Sequence, residues 1–179
     1  MTRDVPPPWR VPVAIHEVPE SGRRVDIAAD EPTRAALART IGLRSLPRLE
    51  AGFDVTRHGR EGLRVVGTVS ASIGQTCVVT LEAIDNEVQE PVDLTFVPAP
   101  ADMTAAEGGS KAAGDDGPEL LVGGMVDLGI VATEFLILGI DPYPRKSDAK
   151  FTAPTAGDDS GHPFAALAAL KKGQGGNEG

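Results

Sequence analysis

The stretch SIGQTCVVTLEAI, residues 72–84, holds the single cysteine of the chain. A lone thiol admits three roles: nucleophile, metal ligand, or small buried hydrophobe. A nucleophilic thiol needs a helix N-terminus or a cationic neighbour to lower its pKa, together with partial exposure. Cys77 instead stands on the apolar parity of an alternating run, and between Val65 and Pro144 the only cation is Lys111. The third role is therefore the reading adopted, with the thiol facing inward. His16, His58 and His162 sit at no i, i+4 spacing and beside no C-x-x-C pair, so neither a metal nor a cofactor is expected. The chain has no G-x-S-x-G, no phosphate-binding G-x-x-x-x-G-K-S/T and no strand-borne G-x-G-x-x-G. The acidic pairs Asp115-Asp116 and Asp158-Asp159 fall in loop-like stretches without the rigid geometry that acid–base catalysis requires. No catalytic residue is assigned.

DPYPR, residues 141–145, supports two readings. Tyr143 could stack and Arg145 could bind phosphate or carboxylate on a rigid presented loop. Alternatively, the prolines merely stiffen the exit from a preceding helix, since each biases its predecessor toward extended geometry.

The elements that must position these residues follow from composition and period. At 179 residues the chain suits one core with tails, and 41% hydrophobic but only 4% aromatic content, with 21 Gly and 15 Pro, implies a modest core with much loop. One cysteine excludes an intramolecular disulfide, MTRDVPPPWR offers no apolar leader, and no run approaches the roughly 18 apolar residues of a membrane span. A cytoplasmic protein without membrane contact is expected.

The net charge of −9 is unevenly spread. Residues 1–64 carry 11 Lys and Arg against 9 Asp and Glu, whereas residues 65–179 carry 6 against 17. A basic first third could face RNA while the acidic remainder faces a basic protein or simply aids solubility.

Val11, Val13 and Ile15 alternate as a half-buried strand near prolines, which suggests an edge. Asp30 can cap a helix that tolerates Pro32 in its first turn and stops at Gly42, burying Leu37 and Ile41. Leu49, Ala51, Phe53 and Val55 then alternate with polar residues, HGREG (residues 58–62) turns the chain, and Leu63, Val65, Val69, Ala71 and Ile73 continue on one parity. That phase extends through Cys77, Val79 and Leu81 to a turn at Asp85-Asn86, after which Val88, Val92, Leu94 and Phe96 form the returning strand. Near the end of the acidic part, Asp127 can cap a helix with Leu128, Val131, Phe135 and Leu138 as its apolar stripe. The fold class is α+β: an antiparallel β-meander sheet covered by a few helices, with a long flexible loop at 98–118 and a short C-terminal helix. Residues 1–150 form the domain, and 151–179 a tail whose helical motif, 163–172, presents Phe164, Leu167 and Leu170 ahead of Lys171 and Lys172. That motif reads as a docking helix.

Four stretches together resemble the YceD family, the large ribosomal RNA subunit accumulation proteins: RRVDIAADEPTRAALARTIGLRSLPRLEAGFDV, VVGTVSASIGQTCVVTLEAI, VDLGIVATEFLILGIDPYPR and HPFAALAALKK. In this order they cover most of residues 23–172. The resemblance implies a non-enzymatic factor for accumulation of 23S ribosomal RNA. Its expected partner is large-subunit RNA or a pre-ribosomal particle, and an adaptor that binds a basic ribosomal protein or assembly factor through the acidic surface is the alternative. Arg23, Arg24, Arg34, Arg39, Arg44 and Arg48, with Tyr143 and Arg145, are the expected RNA or partner contacts. Many relatives carry C-x-x-C where this chain has Gly74 to Cys77, and some have further cysteines where it has DPYPR. A zinc site of that kind is dismantled here.

Overall fold

Alternating polarity dictates the central architecture. The computed structural model describes residues 8–98 and 118–151. Its larger sheet has the order β2-β3-β4-β5-β6, where β2 is Arg23–Ala28, β3 Ser45–His58, β4 Gly62–Thr76, β5 Ala83–Pro98 and β6 Glu119–Leu121. The first four strands form an antiparallel meander, and short β6 pairs in parallel with the end of β5. A separate two-stranded ribbon joins β1, Pro12–Ala14, to β7, Met125–Asp127. The expected α+β meander is thus what the chain forms.

Successive side chains on a strand point to opposite faces. The odd-numbered Leu49, Ala51, Phe53, Val55, Leu63, Val65, Val69, Ala71 and Ile73 are all buried, joined by Val88, Val92 and Phe96 of β5. Burying each large side chain contributes roughly 1.5–3 kcal/mol, which fixes the register, because a one-residue slip would carry the whole set into water. One inward position is vacant by necessity: a Cβ on Gly67 would stand 2.8 Å from the Phe53 ring and closer still to the Gly52 carbonyl.

Two helices cover this face. α1, Glu31–Ile41, starts where the Asp30 carboxylate accepts the Thr33 N–H at 2.9 Å and ends at Gly42, whose φ of +76° is the left-handed conformation glycine adopts without a Cβ penalty. It buries Leu37 and Ala38, with Ile41 half-buried. α2, Leu128–Gly139, starts at Asp127, one of whose oxygens accepts the N–H groups of Gly129 and Ile130 at 3.1 and 3.4 Å. The same carboxylate accepts the Val11 N–H at 2.8 Å and the Arg10 guanidinium at 3.0 Å, tying the N-terminal strand to the helix start. Gly129 permits this approach, since a Cβ there would lie 2.8 Å from the Trp9 carbonyl oxygen.

Four expectations need correction. β4 ends at Thr76, so Cys77, Val79 and Leu81 do not prolong its phase; Cys77 to Glu82 form the hairpin connection. There, Cys77 N–H donates to the Glu82 carbonyl at 2.8 Å and Leu81 N–H to the Cys77 carbonyl at 2.9 Å. Consequently Asp85 and Asn86 are strand residues opposite Gly74 and Ile73, not a turn. Leu81 is 76% exposed with φ +61°, and Val79 is only half-buried. Finally, α2 buries Leu128, Val131, Ala132 and Leu136, leaving Leu138 73% exposed, because the helix rolls its 132–136 edge onto the sheet. The loop expected at 98–118 falls largely outside the described residues, though Pro98 belongs to β5 and Pro118 precedes β6. The docking motif Phe164, Leu167, Leu170, Lys171 and Lys172 lies outside them entirely.

Candidate functional site

Arginine occupies two different settings in this fold. On the outward face of the sheet, even-numbered positions of β2, β3 and β4 and odd-numbered positions of β5 carry charges of both signs that meet across the strands. Arg24 of β2 donates to Asp26 at 3.0 Å and to Asp54 of β3 at 2.9 Å. Arg48 of β3 reaches Glu50 at 2.6 Å and Glu87 of β5 at 2.7 Å. Arg64 of β4 forms a two-pronged pair with Asp93 of β5, at 3.0 and 2.9 Å. The hydrogen bonds hold the acids in their charged form: Ser72 and then Arg48 lower Glu87, and Arg64 lowers Asp93, below the usual carboxylate range. A shallow trough of about 710 Å³ runs across this face over Gly52, Val66, Thr68 and Ser70. Its charges are already matched by protein groups.

The second setting is the end of the molecule where β4 finishes. A groove of about 400 Å³ between α1 and the start of β3 is lined by Arg34, Arg39 and Arg44, with Glu31 as its single acid. Arg34 donates to the Ala29 carbonyl at 2.6 Å, and the Arg44 backbone N–H donates to the Gly74 carbonyl at 2.8 Å. Among the described residues, Arg34, Arg39, Arg44 and Arg145 form no ion pair with a carboxylate.

DPYPR returns to this same terminus. Buried Gln75 donates its side-chain N–H to the Asp141 carbonyl at 2.8 Å while its oxygen accepts from Asn86 Nδ2 at 2.9 Å. Val78 N–H donates to the Pro144 carbonyl at 3.0 Å, and Lys146 Nζ meets Glu82 at 2.8 Å. The Asp141 carboxylate accepts the Tyr143 N–H at 2.8 Å, closing a turn that leaves the ring 71% exposed. DPYPR is thus a stiff helix exit on which Tyr143 and Arg145 are exposed. Val78, exposed in the adjoining hairpin connection beside Leu81, was not singled out in the sequence. Nor was Gln75, although a glutamine on the apolar parity of β4 was a usable signal.

Cys77 is buried but is not part of the contiguous core cluster. The sulfur lies just under the surface, sealed by its own turn. A hydrogen bond from the Thr80 side chain, joined by N–H groups of Lys146, Thr80 and Val79, lowers the thiol to about 7. Its Thr80 N–H contact is 3.4 Å long. The environment is thus polar where the sequence suggested an inert apolar one, yet the sulfur has no accessible surface. It also lacks companions for a metal: Gly74 and Asp141 to Arg145 supply no second sulfur, and no cluster of three His, Cys, Asp or Glu side chains suited to a metal occurs among the described residues.

Of the expected contact residues, the structure gathers Arg34, Arg39 and Arg44 in one groove, and the segment that carries Tyr143 and Arg145 is tied to the β4 end and the connection after it through the Asp141 and Pro144 carbonyls. It places Arg24 and Arg48 on the sheet face, and Arg23, exposed, opposite Val55. No helix among the described residues is long and apolar enough to cross a membrane. Comparison with curated proteins and with solved structures gave no significant match. A family model described as large ribosomal RNA subunit accumulation protein YceD matches residues 65–171.

Proposed function

Since the chain belongs to the YceD family of large ribosomal RNA subunit accumulation proteins, we propose that it is a non-catalytic ribosome-biogenesis factor of the cytoplasm that supports accumulation and maturation of 23S RNA. Arg34, Arg39, Arg44, Tyr143 and Arg145 form its contact surface for that RNA or its assembly particle. The observation that carries this reading is the contrast in charge pairing: at the β4 end the guanidinium groups lack carboxylate partners within the described residues, while on the sheet face they have them. Cations without protein partners are the ones whose counterions phosphate contacts displace, and an exposed tyrosine beside them adds a stacking surface for an unpaired base.

Deleting the gene and quantifying 23S against 16S RNA tests the reading. A fall in the ratio with accumulation of large-subunit precursors is expected; an unchanged ratio with normal subunit profiles would overturn it. In-cell crosslinking then separates direct RNA contact from an adaptor role. RNA recovered on residues 34–44 or 143–145 supports direct contact, whereas crosslinks to a basic ribosomal protein alone refute it.

A further inference from the structure

A groove of about 590 Å³ lies between α2 and the edge formed by β5, β6 and β7. Phe96, Met125 and Ile130 line its floor, and Glu119, Glu134 and Leu138 its rim. Met125 is 51% exposed and Ile137, also lining it, 48%, so the α2 flank opposite the sheet remains apolar and uncovered among the described residues. Contiguous exposed apolar surface rimmed by charge marks a binding surface. The rim charges are of one sign. Burial first, and then the neighbouring Glu119, raise the Glu134 carboxyl above its usual range. An occupant that brings cations to the rim would relieve that repulsion, while an acidic one would worsen it.

We propose that this groove seats the chain's own C-terminal segment, residues 163–172, with Phe164, Leu167 and Leu170 on the apolar floor and Lys171 and Lys172 against Glu119 and Glu134. The i, i+3, i+6 spacing of the three apolar residues puts them on one side of a helix, the arrangement a helix-in-groove contact uses. The thirteen steps from Phe151 to Phe164 span up to about 40 Å when extended, enough to cross a domain of this size. Tethering also gives the segment an effective concentration on the order of millimolar, so modest intrinsic affinity suffices. The nearer stretch, residues 99–117, is the rival occupant within the chain, but it carries four acids against one lysine. Its charge is wrong for this rim.

Methyl NMR on the full chain tests the proposal. The double variant L167D/L170D is expected to shift the methyl resonances of Met125, Ile130, Ile137 and Leu138 well beyond their linewidths, while core methyls of Val65 and Val69 stay in place. K171E/K172E should produce part of the same shift, and adding E119K/E134K to it should restore the original positions. The proposal is overturned if the groove methyls do not respond to L167D/L170D. It is equally overturned if they respond only to replacing residues 100–116 by a glycine-serine linker, or only to tenfold dilution, outcomes that would place the acidic stretch or a second copy in the groove.

Discussion

On the outward sheet face Arg24, Arg48 and Arg64 each meet a carboxylate on their own or a neighbouring strand, whereas around α1 and the β4 terminus the guanidinium groups line a groove with a single acid. The first group stitches strands together; the second has no carboxylate partner among the described residues. Sequence position alone does not separate them, since Arg44 and Arg48 are four residues apart and belong to opposite groups. The difference teaches that a local excess of arginine is not a local excess of usable charge. Strand pairing decides, because it sets which acids lie opposite.

The strongest way to break this comparison is to reverse the unpaired charges. R39E/R44E/R145E is expected to lower affinity for large-subunit RNA by roughly a hundredfold and to reduce the salt slope of binding by about three, as titrations at several salt concentrations would read. Its melting temperature should hardly change, because surface substitutions of this kind cost within about 0.5 kcal/mol.

Gln75→Ala tests what holds DPYPR against the β4 end. It leaves Asn86 and the Asp141 carbonyl without their partner, a loss of about 1–3 kcal/mol in denaturant unfolding. RNA affinity should fall as well, as Tyr143 and Arg145 lose their anchored position.

A smaller effect is expected from R48A/R64A: a slight loss of stability that shrinks at high salt, with RNA affinity unchanged. The pH dependence sharpens the assignment. Glu87, lowered by Ser72 and then Arg48, and Asp93, lowered by Arg64, have folded pKa values below their ordinary ones, so the arginines' share of that stabilisation is fully present above the unfolded values near 4 and is lost as pH falls through the folded ones. Melting curves of the parent and R48A/R64A should therefore converge in acid and separate toward neutral pH.

The smallest effect concerns Cys77→Ser. With the thiol held at about 7 against an ordinary 9.0, its contribution is fully present above pH 9 and lost as pH falls through 7. The stability gap between parent and variant should widen from pH 6 to 9, while the native thiol resists alkylation throughout because its sulfur is covered.

Much of the fold was legible where a local rule faced no competitor. Asp30, Pro32 and Gly42 delimit α1 as capping chemistry requires, and the alternation from Leu49 to Ile73 gives two strands and the face they bury. Legibility failed where period alone had to find a turn. Nothing in CVVTLE announces a reversal, because Leu81 takes the left-handed conformation without being glycine, and the apparent turn residues Asp85 and Asn86 are held in strand pairing. In α2, nearly uniform hydrophobicity from Leu128 to Ile140 hid which flank would be buried. As for the candidate site, residue types were readable, but their grouping depends on pairing between β3, β4 and β5 and on one buried glutamine.

Complementing a deletion strain with two charge variants tests the central claim most directly, with the ratio of 23S to 16S RNA as the readout. If the unpaired arginines carry the function, R39E/R44E/R145E will fail to restore the ratio, while R24A/R48A/R64A at equal protein level will restore it. Restoration by the first variant, or failure of the second alone, would contradict the account.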